Sequence, residues 1–500
     1  MHKRCWWTIL LAIVPGLFLL IRISSWWTAE FWLDEAASLH YFCLGEGATF
    51  GNIFRNYEYA NNHILFTAIT WLWIRLFPNG AEWLWRLPAL CCYGLAIILV
   101  GTVWRRWLGN RMAFLAALSL AVSPVCSAFA WQLRGYSLSM LLAVLAFTGL
   151  QFYLQGQTRR GQILLCLAAL AQPLTMPSAA LLTFAFAGSM AVLLLLRGWP
   201  GKKIALACSP MLLLTLLGAG YYLTLGEQLA RAASNAASIA ALRWNAWLVA
   251  RHLCLAMLVH LGFLLFLLAQ RRPERSCNPG ENGEKSCRWR ISPGLAIMGS
   301  SSGCILAVLL LSLGRQVPFP RNFLLFFPVF TLATALLLRE QAGVRRFPFW
   351  KAVLGVLGFA WLSEYCCQQL MVRELRTADI RPHNLLYQYY RGMSDNRTIV
   401  TGLAKGSFSA ATHVALVSNN DMHTAFWYWR RCGLPEESLY SLNEWRRSDA
   451  ARQHRQKIIL CWARHNQEAQ ELLAPAGRQV PLQAVQEFPR RTLYVVSMPP

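Results

Sequence analysis

Eleven apolar stretches, each close to the roughly 17–25 residues that cross a bilayer, fill the first three quarters of this 500-residue chain. They fall at about 5–23, 87–104, 111–128, 136–154, 162–178, 179–196, 204–223, 246–269, 293–313, 322–338 and 350–368. Only a bilayer accepts that much apolar helix, because helices satisfy their own backbone groups there. The expected fold class is therefore an all-α polytopic membrane protein. Charged residues make up 14% of the chain, against about a quarter in soluble domains. Short basic clusters (Arg105/Arg106/Arg111, Arg159/Arg160, Arg197/Lys202/Lys203, Arg271 to Arg290, Arg339 to Lys351) recur after every second stretch. They mark one face, which the positive-inside rule makes cytoplasmic. The net charge of +24 thus reflects topology and not a nucleic-acid surface.

One segment decides the topology. Residues 62–77 are apolar and Trp-rich, carry Arg75, and are short for a crossing. Lying in the interface as an amphipathic helix, they leave every basic cluster on one face; crossing, they would put Lys3/Arg4 opposite the rest. The first reading makes residues 24–86 one large extracytoplasmic loop. His2, Lys3 and Arg4 followed by an apolar run to Ile23 resemble a signal peptide, but no small-residue cleavage site follows, which points to an uncleaved first span. Arg22, near its end, is expected to snorkel. Eleven crossings place the tail, 371–500, outside. It holds 17 basic and 11 acidic residues, and short apolar stretches at 398–403, 413–417, 457–462 and 492–497 predict the strands of a small α/β domain. Most cysteines sit within apolar runs as small hydrophobes; Cys432 and Cys461 can pair if the tail is exported. The domains read as 1–370, transmembrane, and 371–500, extracytoplasmic.

Acid is rare in this chain and unevenly placed. Asp34 is the only aspartate before residue 379, and six of the 12 acids in residues 1–370 fall between 25 and 86. Ionisable groups at a membrane are costly and are functional candidates by default. Asp34 and Glu35 stand together in Phe31-Trp32-Leu33-Asp34-Glu35; helix capping is the structural alternative for Asp34. On the same expected face lie His63, Arg134 and Tyr136 (in Trp131-Gln132-Leu133-Arg134-Gly135-Tyr136), and Arg315 and Arg321 beside Pro320 and Asn322. Carboxylates suit proton transfer, and guanidinium suits phosphate. The arginines read alternatively as interfacial anchors, and His63 as structural.

These motifs, in this order (Phe-Trp-Leu-Asp-Glu after the first span, Asn62-His63, Arg86-Leu87-Pro88-Ala89, Ser123-Pro124, Arg134-Gly135-Tyr136, Pro320-Arg321-Asn322-Phe323), resemble the GT-C superfamily of glycosyltransferases. The similar branch is that of the protein O-mannosyltransferase-like enzymes and the aminoarabinose transferases of lipid A. The resemblance covers roughly residues 1–370. It implies transfer of a sugar from a polyprenyl-phosphate donor to a glycan, lipid or protein acceptor on the outer face, with Asp34 as catalytic base. Some relatives carry an acidic metal ligand in the loop where Arg134 and Tyr136 stand, so the resemblance implies no metal here; no cofactor is expected. The surface-helix entry departs from the family pattern at Asn61-Asn62-His63-Ile64, which leaves the role of His63 open. A single displacement would invert the anomeric centre, with Glu35 orienting and Arg134, Arg321 and Arg315 on the leaving phosphate. A bacterial inner membrane is the expected location. A transporter or carrier flippase is the rival reading, although repeated halves and broken midplane helices are not evident.

Overall fold

The computed structural model describes residues 2–24, 29–45, 47–56, 62–228, 293–311, 323–341, 349–376, 395–406, 408–418, 422–441, 444–445, 458–463, 482–487 and 492–496. The helices of the first half are α1 (His2–Ile23), α2 (Leu33–Ser38), α3 (Phe50–Arg55), α4 (Ile64–Leu76), α5 (Glu82–Trp85), α6 (Leu87–Thr102) and α7 (Arg105–Leu108). They continue as α8 (Asn110–Val122), α9 (Pro124–Ala130), α10 (Tyr136–Leu154), α11 (Thr158–Thr175), α12 (Ala180–Leu196) and α13 (Gly201–Gly220). Later helices cover Pro293–Leu311, Phe326–Gln341, Phe349–Arg376, Asn396–Lys405 and Met422–Arg431. The chain divides into two compact units: residues 1–27, 54–78 and 84–388, and residues 28–53, 79–83 and 389–500.

The first unit is a helical bundle. α10 packs on α6 and α11, α11 on α13, and α1 on α6 and α8. α8 is buried from Met112 to Val122 and α10 over nearly its whole length, the all-round apolar pattern of a helix at the centre of a membrane bundle. α10 and α11 meet backbone to backbone, because a side-chain carbon on Gly149 would lie 2.9 Å from the Gly161 carbonyl. Small residues permit such approach where dispersion drives packing. Among the described residues five helices are long and apolar enough to cross a membrane, six if α8 and α9 form one broken span. The protein is an integral membrane protein. Of the eleven expected stretches, 246–269 lies outside the described residues, and 111–128 is not one continuous helix. It bends by 66° between α8 and α9, since Pro124 has no N–H to continue the ladder and Ser123 turns extended (ψ 119) to accept from the Cys126 N–H at 3.4 Å. α4 forms over the expected surface helix; its 13 residues span about 20 Å, short of a roughly 30 Å hydrocarbon core.

Arg22 does not simply snorkel. Its guanidinium pairs with Glu364 on helix Phe349–Arg376 and donates to Ser127 Oγ at 3.4 Å. Truncating either charge breaks the ion pair and leaves the other half-buried beside apolar helices. Arg22→Leu and Glu364→Leu are each expected to lower the melting temperature in detergent. The double variant should recover part of the loss, with a coupling energy of about 0.5–3 kcal/mol in a double-mutant cycle.

The second unit combines much of the first loop with the tail, whereas the sequence boundary at 370 assigns that loop to the transmembrane region. Its sheet runs β2 (Leu439–Ser441), β1 (His413–Val417), β3 (Ile458–Ala463), β5 (Thr492–Val496), β4 (Leu482–Glu487), with β1 parallel to both neighbours and β5 antiparallel to both of its own. Three expected strands form. Residues 398–403 are instead helical, within Asn396–Lys405: Ile399, Val400 and Leu403 repeat at helical spacing and face a core of Trp429, Tyr428 and Trp462. Cys432 and Cys461 are both free thiols. Loop acids fasten the unit together. Glu30 accepts from the Arg397 N–H (3.0 Å) at a helix start, where the dipole favours an anion. Glu82 accepts from Tyr428 Oη (3.2 Å) and pairs with Arg397 (3.5 Å) and Arg431 (3.9 Å). Tyr428 Oη in turn accepts from the Phe31 N–H at 3.0 Å.

Candidate functional site

The sequence-derived site residues fall into two groups, one in each compact unit. In the bundle, His63, Arg134 and Tyr136 come together. The bend at Ser123-Pro124 sends α9 into the short turn 131–135, where the Arg134 N–H reaches the Gln132 carbonyl (2.6 Å). This turn delivers Arg134 to the start of α10, with only 2% of its surface exposed. Its guanidinium lies 5.8 Å from the Tyr136 ring centre. Arg86, fully buried at the start of α6, stacks 4.5 Å over Trp131. Both distances suit a cation on an aromatic face. The Tyr136 ring is clasped edge-on by His63 (5.0 Å) and Phe129 (4.9 Å).

Glycine is required between Arg134 and Tyr136 by close approach. A side-chain carbon at Gly135 would sit 2.7 Å from His63 Nδ1 and 2.8 Å from Thr175 Cγ2. His63, at the start of α4, therefore packs directly onto the backbone that positions Arg134. Burying guanidinium is expensive unless ring faces, hydrogen bonds or an anion meet it. The two guanidiniums lie at the N-terminal ends of α6 and α10, helices that pack on each other, and each is met by an aromatic ring. Arg315 and Arg321 lie outside the described residues.

In the second unit, Asp34 and Glu35 open α2. They do different things, as adjacent helical residues point apart. Glu35, fully buried, turns its Oε2 back to accept from the Trp32 N–H at 2.9 Å, the carboxylate half of a capping box. Asp34 is 8% exposed, and its carbonyl holds Ser38 Oγ at 2.8 Å. α2 runs on into a π-helical turn, Leu39–Leu44, a geometry frequent at functional sites. The turn presents His40 and Tyr41 to helix Met422–Arg431. There Tyr41 Oη lies 3.3 Å from His423 Nε2, and the His40 ring stands 5.7 Å from His423 and 5.3 Å from Phe426.

His423 is the residue that sequence reasoning missed. Nothing in its local sequence marks it, and only the packing of α2 on its helix brings it into the electrostatic range of Asp34. Burial lowers its pKa from 6.5 to about 4; His40 pushes the same way, while Glu444 and Asp34 oppose. Burial and then Arg430 lower His40, against Glu436. Neutral imidazoles beside a carboxylate offer hydrogen bonds to hydroxyl groups without competing for its charge.

The sign of the linkage is fixed by these values. Between about pH 4 and 6.5 the unfolded chain protonates His423 and the folded one does not. The contribution of His423 to stability is therefore constant above about pH 6.5 and is lost as pH drops through that window. His423→Phe should flatten the fall in melting temperature between pH 7.5 and 4.5. A variant as acid-labile as wild type would show that this imidazole is not the group responsible.

No protein-family model matches the chain, and no curated protein sequence does either. Solved structures do. The chain is similar to ArnT from Cupriavidus metallidurans in the apo state, with a TM-score of 0.55 and 14% identity, covering 99% of this chain and 98% of that one. It is also similar to the same protein bound to undecaprenyl phosphate, with a TM-score of 0.52, 13% identity and 98% of each chain covered. A looser likeness, TM-score 0.40 at 11% identity, links it to the archaeal oligosaccharyltransferase AglB from Archaeoglobus fulgidus, over 92% of this chain and 70% of that one. At its coverage the likeness to ArnT takes in residues of both compact units: this chain has the fold of ArnT.

Proposed function

We propose that the protein is a glycosyltransferase that moves a sugar from a polyprenyl-phosphate carrier to an acceptor hydroxyl on the outer face of a bacterial inner membrane. The observation that carries this reading is the near full-length likeness to ArnT, one structure of which holds undecaprenyl phosphate. The acids and buried arginines of this chain fit that chemistry in kind.

In this mechanism the acceptor oxygen attacks the anomeric carbon as its proton passes to the Asp34 carboxylate. The bond from that carbon to the phosphate oxygen breaks, and the polyprenyl phosphate leaves with the electron pair. One displacement inverts the anomeric configuration. Arg134 takes up charge on the leaving phosphate, a task for which a planar guanidinium is well shaped, with Arg315 and Arg321 as further cations in place of a metal ion. Tyr136 and His63 are positioning residues for Arg134, and Glu35 holds the start of α2. Residues 1–370 carry the reaction, and the tail lies on the extracytoplasmic face.

Donor class is the direct test. Purified protein, reconstituted with an envelope extract as acceptor source, should incorporate label from a polyprenyl-phosphate sugar and none from the matching nucleotide sugar. Incorporation from the nucleotide sugar alone would overturn the proposal. So would movement of the intact carrier lipid across the bilayer without sugar transfer, which would favour the flippase reading.

A further inference from the structure

A cleft with basic and aromatic lining lies at the far end of α10. α10 ends and α11 begins around the turn at Gly156 (φ +86), and α12 ends and α13 begins around the turn at Gly198 (φ +77). Both turns sit at the same end of the bundle, because one cleft of about 440 Å³ is lined by Tyr153 and Arg159 from the first and by Trp199 and Lys203 from the second. The 19 residues of α10 separate this end from Arg134 by roughly 28 Å, so it is a different place from the candidate donor site.

Three observations define what the cleft takes. Arg159 and Lys203 are exposed, from separate helices, and neither forms an ion pair among the described residues. The sequence offers them little, with no aspartate or glutamate between Glu82 and Glu227. The rim is aromatic: the Tyr153 and Trp199 rings lie 6.2 Å apart, as in the belts that sit at headgroup level. The rest of the lining holds the apolar Leu206, Ala207 and Pro210 beside Thr158 and Gln162. It continues as exposed apolar side chains: Ile163 and Leu167 on α11, and Leu213 on α13. A free inorganic anion has no use for that apolar extension. A lipid does.

We infer that this cleft binds the phosphodiester headgroup of an anionic glycerophospholipid, with its acyl chains along the apolar surface of α11 and α13. Basic pockets between membrane helices hold such headgroups, and each basic residue at a charged bilayer surface multiplies binding about fivefold. The inference is independent of the transferase reading.

Native mass spectrometry of the purified full chain with phosphatidylglycerol and phosphatidylcholine tests it. Wild type should retain phosphatidylglycerol preferentially. R159Q and K203Q should each reduce its retention about fivefold, and the pair about twenty-five-fold, with an unchanged melting temperature since both side chains are exposed. R106Q/R111Q, which removes two exposed cations of another cluster, should bind like wild type. Equal retention of the two lipids, or wild-type retention by R159Q/K203Q, would overturn the site. An equal loss in R106Q/R111Q would overturn it in favour of diffuse attraction. Displacement of the lipid by millimolar inorganic phosphate would overturn it in favour of a free-anion site.

Discussion

Asp34→Asn should lower the sugar-transfer rate by about 10²–10⁴-fold, the usual contribution of a positioned general base. The amide keeps the shape of the carboxylate but does not take a proton at neutral pH. Proton removal occurs only on the way to the transition state, so the loss should fall on kcat and leave the donor KM nearly unchanged. The fold should survive, because asparagine matches aspartate in size and its amide oxygen still accepts hydrogen bonds, while Glu35 keeps the Trp32 N–H, Glu30 the Arg397 N–H, and Glu82 Tyr428 and Arg431. Glu35→Gln is the informative contrast. Its amide oxygen can still accept from Trp32, so it should cost about 1 kcal/mol or less in stability and little in turnover. Steady-state kinetics with melting curves for both variants separates chemistry from capping.

Arg134→Gln should lower kcat by about 10²–10³-fold, the scale seen when one group stabilising developing charge is lost. Arg134→Lys should restore only part of it, since ammonium lacks the planar fork of guanidinium and its stacking on an aromatic ring. Because Arg134 is buried against Tyr136, lost activity by itself would not distinguish phosphate binding from misfolding. Product affinity does. The variant should bind polyprenyl phosphate more weakly than wild type does, while the uncharged polyprenol binds both alike. A parallel loss for both lipids would reduce Arg134 to a packing residue.

Much of this architecture is legible in the sequence because it is local. Apolar run length locates the bundle helices, and Asp34, Glu35, Arg134 and Tyr136 stand out as polar groups where apolar sequence is the rule. What escapes is set by contacts between distant segments. The pairing of Arg22 with Glu364 leaves no trace in either helix alone, so Arg22 reads as an interfacial residue. Glu30 and Glu82 read as members of an acidic loop until Arg397, Tyr428 and Arg431 are brought to them. His423 lies in tail sequence without any catalytic pattern, and only the packing of α2 against its helix gives it meaning. Two local features carry signals of their own. Ser123-Pro124 signals the break between α8 and α9, and the spacing of Ile399, Val400 and Leu403 is helical although their composition suits a strand.

Release of polyprenyl phosphate from a panel of polyprenyl-phosphate sugars, by the purified wild type and by Asp34→Asn with a membrane extract as acceptor source, tests the central claim most directly. The account predicts that one donor is consumed by wild type, with its sugar passed to the acceptor with inverted configuration, and that consumption collapses in the variant. Donor consumption that is equal in the two proteins, or a complete absence of consumption in the presence of the extract, would contradict it.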